Sequence, residues 1–168
     1  MIRTKRFHIL PLSVAQLELY VREDNSLITE LNVNNIVWDI PKSLRKTILN
    51  KIIPAINQNG NDLLFSTFWT IIELESNCMV GDLCFKGNPN ELGEVEIGYG
   101  IHSEFHNNGF MTEAVGGIIQ WTFEQENVNC IWAETVPQNL ASQKVLLKND
   151  FEQIDVTEMA IYWRILKK

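Results

Sequence analysis

Residues 93–117 of this chain, GEVEIGYGIHSEFHNNGFMTEAVGG, carry two different periodicities on either side of one glycine-bearing turn. Glu94, Val95, Glu96 and Ile97 alternate polar and apolar, as a half-buried strand does. After His106, Asn107, Asn108 and Gly109 the apolar positions change to helical spacing: Met111, Ala114, Val115, Ile118, Ile119, Thr122 and Phe123. A strand that feeds through a Gly turn into a helix leaves the first N–H groups of that helix unpaired and pointing outward. Such an end is suited to hold a phosphate.

The remaining pattern builds outward from this unit. Residues 6–12 read as a first strand, and Ser13 to Gln16 form a capping-box pattern that opens a helix through about Arg22. Residues 23–40 are polar and Asn-rich, with Leu27, Leu31, Val33, Ile36 and Trp38 as apolar anchors; a loop or short broken helix is expected. A second helix is expected from Pro41 to about Asn57, kinked or broken at Pro54 and ended by Gly60. Residues 63–75 and 78–86 read as a hairpin around Ser76 and Asn77, followed by a turn at 87–90. After the strand at Glu94 come a long helix to about Glu126, a strand at 130–136 and a helix at 139–148. Strands at 151–157 and 159–166 close the chain. This order mixes antiparallel hairpins with βαβ crossovers. It fits an α/β chain with a single central mixed sheet, about seven strands and mostly antiparallel, flanked by helices on both faces.

At 168 residues the chain is expected to be one domain with a full core. Its formal net charge is −7, from 14 Lys and Arg against 21 Asp and Glu. That argues against nucleic acid, which needs a basic footprint, and fits an amine or other cationic partner. Cys78, Cys84 and Cys130 lack CxxC spacing and are expected as reduced thiols of a cytoplasmic protein. The first residues have basic clusters without a long apolar stretch, and no run approaches the ~18 apolar residues that cross a bilayer, so no membrane partner is expected. His8 and His102 have no companion ligand at metal spacing, so no metal is expected.

Two local motifs, His106-Asn107-Asn108-Gly109-Phe110-Met111 followed by Thr112-Glu113-Ala114, and Asn139-Leu140-Ala141-Ser142 with Phe151 twelve residues after Asn139, carry a family resemblance. With the strand Glu94 to Tyr99 ahead of them, they resemble the GNAT superfamily of acetyl-CoA-dependent N-acetyltransferases. The nearest branch is the one that includes the ribosomal-protein N-terminal-amine acetyltransferases. Three departures stand out: His106 replaces a Gln or Arg, Met111 a small residue, and Asp150 the Gly that precedes the Phe.

The resemblance implies acetyl-CoA as cosubstrate, held by the backbone of Gly98, Tyr99, Gly100 and Ile101. It adds the cradle of His106, Asn107, Asn108, Gly109, Phe110, Met111 and Thr112, together with Asn139 and Ser142. Gly116 and Gly117 read as close packing of the helix on the sheet. Glu96 is the candidate base, directly or through a water, with Glu94 on the same face as the alternative. Ser142 is the candidate partner of the departing thiolate. Leu146 stands where many family members place a general-acid Tyr. Trp38, Phe68, Trp69 and Tyr99 are candidates for an acceptor pocket, although aromatics in such runs also build cores.

The expected reaction is transfer of acetyl to a small-molecule or peptide amine by direct attack, in a monomer or homodimer. A non-catalytic acyl-CoA-binding or sensing module, and an interaction domain that has lost the ligand, remain open.

Overall fold

The computed structural model describes residues 1–22, 24–34, 40–59 and 63–168. Its strands are β1 (Ile2–Arg3), β2 (Phe7–Pro11), β3 (Phe68–Glu73), β4 (Cys78–Phe85), β5 (Glu94–Ile101), β6 (Cys130–Thr135), β7 (Glu152–Val156) and β8 (Ile161–Leu166). They form one open sheet in the order β1-β2-β3-β4-β5-β6-β8-β7. Every neighbouring pair is antiparallel except β5 and β6. The sheet is mixed and mostly antiparallel as expected, but it has eight strands rather than about seven. The extra strand, β1, pairs Ile2 with Ile9 and Arg3 with His8. Two residues are too few for any alternation to register.

The helices are α1 (Val14–Tyr20), α2 (Ser26–Leu31), α3 (Lys42–Thr47), α4 (Ile53–Asn59), α5 (Leu63–Ser66), α6 (Phe110–Glu124) and α7 (Leu140–Lys148). They cover both faces of the sheet. Phe68 and Ile72 of β3 pack with Leu17, Leu27, Ile48 and Ile53 on one side. Trp69 and Ile71 of the same strand pack with Val115, Ile118 and Leu146 on the other.

Local chemistry sets the boundaries. At α1 the capping box closes in both directions: Ser13 Oγ accepts from Gln16 N–H at 3.2 Å and Gln16 Oε1 from Ser13 N–H at 3.0 Å. Pro54 lacks an N–H and its ring crowds the carbonyl four residues back. The turn before it, Ile48–Ile52, is accordingly π-helical, with Ile53 N–H donating to Ile48 O. The expected second helix is therefore α3, a π turn and α4, while Gly60 lies outside the described residues. Within 23–40 a short helix, α2, does form and ends at Asn32 in left-handed backbone, φ 52°. Ile36 and Trp38 lie outside the described residues.

The expected strand at 63–75 is corrected at its start, where Leu63–Ser66 is helical. Phe65 then packs on Phe85 and Trp121 at centroid distances of 5.0 and 5.4 Å, and Trp69 Nε1 donates to Leu64 O at 2.8 Å. The three apolar residues Leu63, Leu64 and Phe65 are too short a run to distinguish a buried helical turn from a buried strand. In α6, Met111, Ala114, Val115, Ile118, Ile119 and Thr122 are buried, matching the helical spacing of the sequence. A Cβ on Gly117 would stand 2.7 Å from Thr4 Cγ2, and one on Gly116 3.0 Å from Asn149 Oδ1. The glycine pair thus lets α6 approach the β1–β2 turn and the end of α7.

Candidate active site

β5 and β6 pair only through Glu94–Cys130, Val95–Ile131 and Glu96–Trp132, and then part. β5 continues to Ile101 against β4 alone. Lys86 N–H donates to Glu96 O at 2.9 Å and His102 N–H to Val80 O at 2.9 Å, so the even-numbered residues of β5 direct their amides toward β4. By strand alternation, Tyr99 and Ile101 direct theirs into the gap. This gap opens into a cleft of about 460 Å³ between the end of β5, the loop before α6, and α7.

The loop forms one wall. Asn107 and Gly109 both adopt left-handed backbone, φ 64° and 70°, and Gly109 is the N-cap of α6. Alternation of this kind turns successive N–H groups to one side, which makes an anion cradle. Its opposite side is fastened by Arg6: Nη1 donates to Asn108 O at 3.0 Å and Nη2 to Gly109 O at 3.2 Å. Arg6 Nε in turn meets Glu113 Oε2 at 2.6 Å, and its guanidinium lies 4.7 Å from the centroid of Phe110. Burial pushes the Glu113 carboxyl up, but hydrogen bonds from Thr4 and Arg6 outweigh it and hold the group below the usual carboxylate range.

α7 forms the other wall. Asn139 Oδ1 caps the helix by accepting from Ser142 N–H at 3.1 Å. Ser142 Oγ donates to the Tyr99 hydroxyl at 2.8 Å, and that hydroxyl donates to Ser142 O at 3.0 Å. Burial pushes Tyr99 up to about 12, partly offset by the Ser142 hydrogen bond, so it stays protonated at neutral pH. Leu146 is fully buried in the core and offers no proton.

Residues 8–152 match the family model described as acetyltransferase (GNAT) domain. The chain belongs to the GNAT acetyltransferases. It is 28% identical over 152 residues to the uncharacterized N-acetyltransferase YjdG of Bacillus subtilis (strain 168), covering 90% of this chain and 89% of that one. Among solved structures it resembles the ribosomal-protein-S5-alanine acetyltransferase of Vibrio fischeri (TM-score 0.66, 15% identity, 98% and 95% of the two chains). It also resembles the ribosomal L7/L12 alpha-N-protein acetyltransferase RimL in complex with coenzyme A (TM-score 0.67, 14% identity, 97% and 95%). GNAT enzymes take acetyl from acetyl-CoA, and this chain is an acetyl-CoA-dependent acetyltransferase.

Most of the GNAT residues expected from sequence gather at the cleft. Tyr99, Gly100 and Ile101 line it from β5, and His106, Asn107, Gly109, Phe110, Met111 and Thr112 from the loop and α6. Asn139 and Ser142 complete it from α7. Met111 is 5% exposed, its side chain taken up by the core, so the larger residue leaves the cradle open. His106 Nε2 lies 3.3 Å from Ile101 O.

Others stand apart. Gly98 and Asn108 do not line the cleft; a Cβ on Gly98 would face Cys84 Sγ at 3.3 Å, and Asn108 contributes its carbonyl to Arg6. Glu96 is on the opposite face of β5 from Tyr99 and pairs with Lys86. Glu94 accepts from Asn90 Nδ2 at 2.9 Å. Phe68 and Trp69 are buried core residues, 6% and 1% exposed, not pocket walls. Trp38 lies outside the described residues.

Sequence reasoning missed Phe105, Ala141, Lys144, Val145 and Lys148 as cleft-lining residues. The last four share one face of α7 at the three- and four-residue spacing of a helix, the signal that was there to use. Among the described residues no group of three potential metal ligands gathers, and no helix is long and apolar enough to cross a membrane.

Proposed function

We propose that this chain moves an acetyl group from acetyl-CoA to a primary amine by direct attack within a ternary complex. The supporting observation is that one cleft joins an amide cradle at one end to an unpaired strand edge and a hydroxyl pair at the other. The amides of residues 107–111 take the diphosphate. The Asn139 side-chain N–H, left over from capping, meets the pantetheine arm. The Tyr99 amide, aimed into the gap between β5 and β6, polarises the acetyl carbonyl; one donor so placed contributes about 3 kcal/mol to an acyl-transfer transition state.

Glu96 accepts the amine proton, directly or through a water. A lysine-type amine requires about 4–5 kcal/mol to expose its lone pair at pH 7, and a terminal α-amine only about 1 kcal/mol. Ser142 and Tyr99 meet the departing thiolate with hydrogen bonds. A thiol with pKa of about 8.5 leaves readily enough that the absence of a Tyr at position 146 is tolerated. A Cβ on Gly100 would meet nothing within 4 Å, so the face of β5 opposite Tyr99 has room for an acceptor to approach. The ribosomal-protein acetyltransferases among the structural neighbours favour a protein N-terminal amine, with a small-molecule amine as the other acceptor class.

Thiol release from acetyl-CoA with a panel of peptide and small-molecule amines tests the reading. In Glu96→Gln, turnover of a high-pKa amine drops far more than that of an α-amine; equal loss for both removes Glu96 as the base. Leu146 sustains a second reading, a non-catalytic acyl-CoA-binding module, which predicts acetyl-CoA binding with no thiol released by any amine.

A further inference from the structure

We propose that Lys86 is a positioning residue for the reaction, its ammonium anchoring one oxygen of the Glu96 carboxylate and leaving the other to the acceptor amine. The inference rests on the reading of Glu96 as base and adds the group that holds that base. Lys86 follows the last residue of β4 and stands across from Glu96, its N–H donating to Glu96 O at 2.9 Å. On its other side Glu96 is level with Trp132 of β6. Along β5 the next residues on the same face are Gly98 and Gly100, so no side chain of that strand stands between the carboxylate and the Tyr99 amide. Glu96 Oε1 is buried and meets Lys86 Nζ as an ion pair outside hydrogen-bond geometry, so Oε2 is the oxygen left for an acceptor. The Lys86 side chain is 55% exposed and that of Glu96 only 13%, so the lysine reaches in from solvent to a carboxylate that is mostly enclosed.

The other ionisable groups of this face leave the pair to itself. Glu94 accepts from Asn90 Nδ2, and Asp82 accepts from the Tyr20 hydroxyl. Burial, with Asp82 adding to it, pushes the Cys84 thiol up to about 11, so it stays neutral and does not compete for the ammonium. An enclosed carboxylate without a counter-charge is costly, and its side chain would turn toward solvent to relieve that cost. A general base works only when a third group orients it. Lys86 supplies both the counter-charge and the orientation. As a cross-strand pair serving the sheet alone, the contact would matter equally to every acceptor. As the anchor of the base, it matters most where removing the proton is hardest.

Steady-state kinetics with an accepted alkylamine of high pKa and an accepted peptide α-amine separate these accounts. The chains compared are wild type, Lys86→Met, Lys86→Arg, Glu96→Gln and the double variant Lys86→Met/Glu96→Gln. In Lys86→Met, kcat is expected to fall about tenfold for the alkylamine and about twofold for the α-amine. The dissociation constant of acetyl-CoA, read by calorimetry, and the melting temperature are expected to hold. Lys86→Arg keeps the charge and restores most of the turnover. In the Glu96→Gln background, Lys86→Met is expected to cost nothing further, because the lysine acts through the carboxylate. Three results overturn the anchor while leaving the acetyltransferase reading intact: unchanged turnover in Lys86→Met, equal loss for both amines, or a loss that multiplies in full with that of Glu96→Gln. A Lys86→Met chain that no longer melts cooperatively assigns the lysine to the fold and overturns it too. Equal loss for both amines in Glu96→Gln removes the base and its anchor together. A wild-type chain that releases no thiol with any amine overturns the transfer reading as well.

Discussion

Arg6 and Glu113, 107 residues apart in sequence, meet at 2.6 Å and join the first β-turn to the first turn of α6. The same guanidinium holds the carbonyls of Asn108 and Gly109, so the cradle's amides are aimed from behind by a residue that lies outside the cleft wall. Arg6→Ala is expected to weaken acetyl-CoA binding about tenfold by releasing the loop, and to lower stability by about 1 kcal/mol after solvent screening of this part-exposed pair. Calorimetry and thermal melts check both. Unchanged affinity in a folded variant would show that the loop holds its shape unaided.

The Tyr99 and Ser142 hydroxyls bond to each other, so they act as one unit. Tyr99→Phe and Ser142→Ala are each expected to lower kcat about 10- to 100-fold, the loss of a hydrogen bond to a developing charge. The dissociation constant of acetyl-CoA should stay within about twofold, and the double variant should lose less than the product of the two. Steady-state kinetics with an accepted amine decides. A tighter or looser acetyl-CoA complex with kcat unchanged would assign both residues to binding alone.

The sequence was most legible where periodicity met punctuation. The alternation from Glu94 to Ile97, the switch to helical spacing after Gly109 and the Asn139 cap located β5, α6 and α7, and with them most of the cleft wall. It was least legible where one pattern serves two geometries. Leu63, Leu64 and Phe65 are apolar in a row before Ser66 and Thr67, and so short a run suits a buried helical turn and a buried strand equally. Arg6 was invisible as a loop clamp because its partners are backbone carbonyls a hundred residues away, and no local spacing encodes that contact. The pairing of Glu96 with Lys86 depends on the β4–β5 register, which the hairpin pattern did not fix.

Asp82 is buried on the face of the sheet opposite the cleft and accepts from the Tyr20 hydroxyl at 2.8 Å. Burial pushes its carboxyl from 3.8 up to about 6, against the opposing pull of the hydrogen bond from Tyr20. Between those pH values the folded chain keeps a proton that the unfolded chain releases. This group's contribution therefore makes stability fall as pH rises from about 4 to 6, with the full penalty present above that. Asp82→Asn keeps an acceptor for Tyr20 and removes the titration. Relative to wild type it is expected to gain about 2–3 kcal/mol between pH 4 and pH 8. Urea melts at the two pH values check this; parallel behaviour of the two chains would contradict it.

Asp150 follows α7 in left-handed backbone, φ 61°, where a Cβ is strained. Phe151 N–H donates back to Leu146 O at 3.1 Å, so the turn is a true helix stop. Asp150→Gly is expected to stabilise the chain by about 0.5–1 kcal/mol without altering turnover. A lower melting temperature would mean that the aspartate has a compensating role.

The account depends on backbone amides at the start of α6 holding the diphosphate of acetyl-CoA. The most direct measurement is a crystal structure with acetyl-CoA bound. The expected result has the diphosphate against the amides of residues 107–111, the pantetheine arm along the free edge of β5 and the thioester beside Tyr99 and Ser142. A diphosphate bound elsewhere, with the cradle left to solvent, would contradict the account.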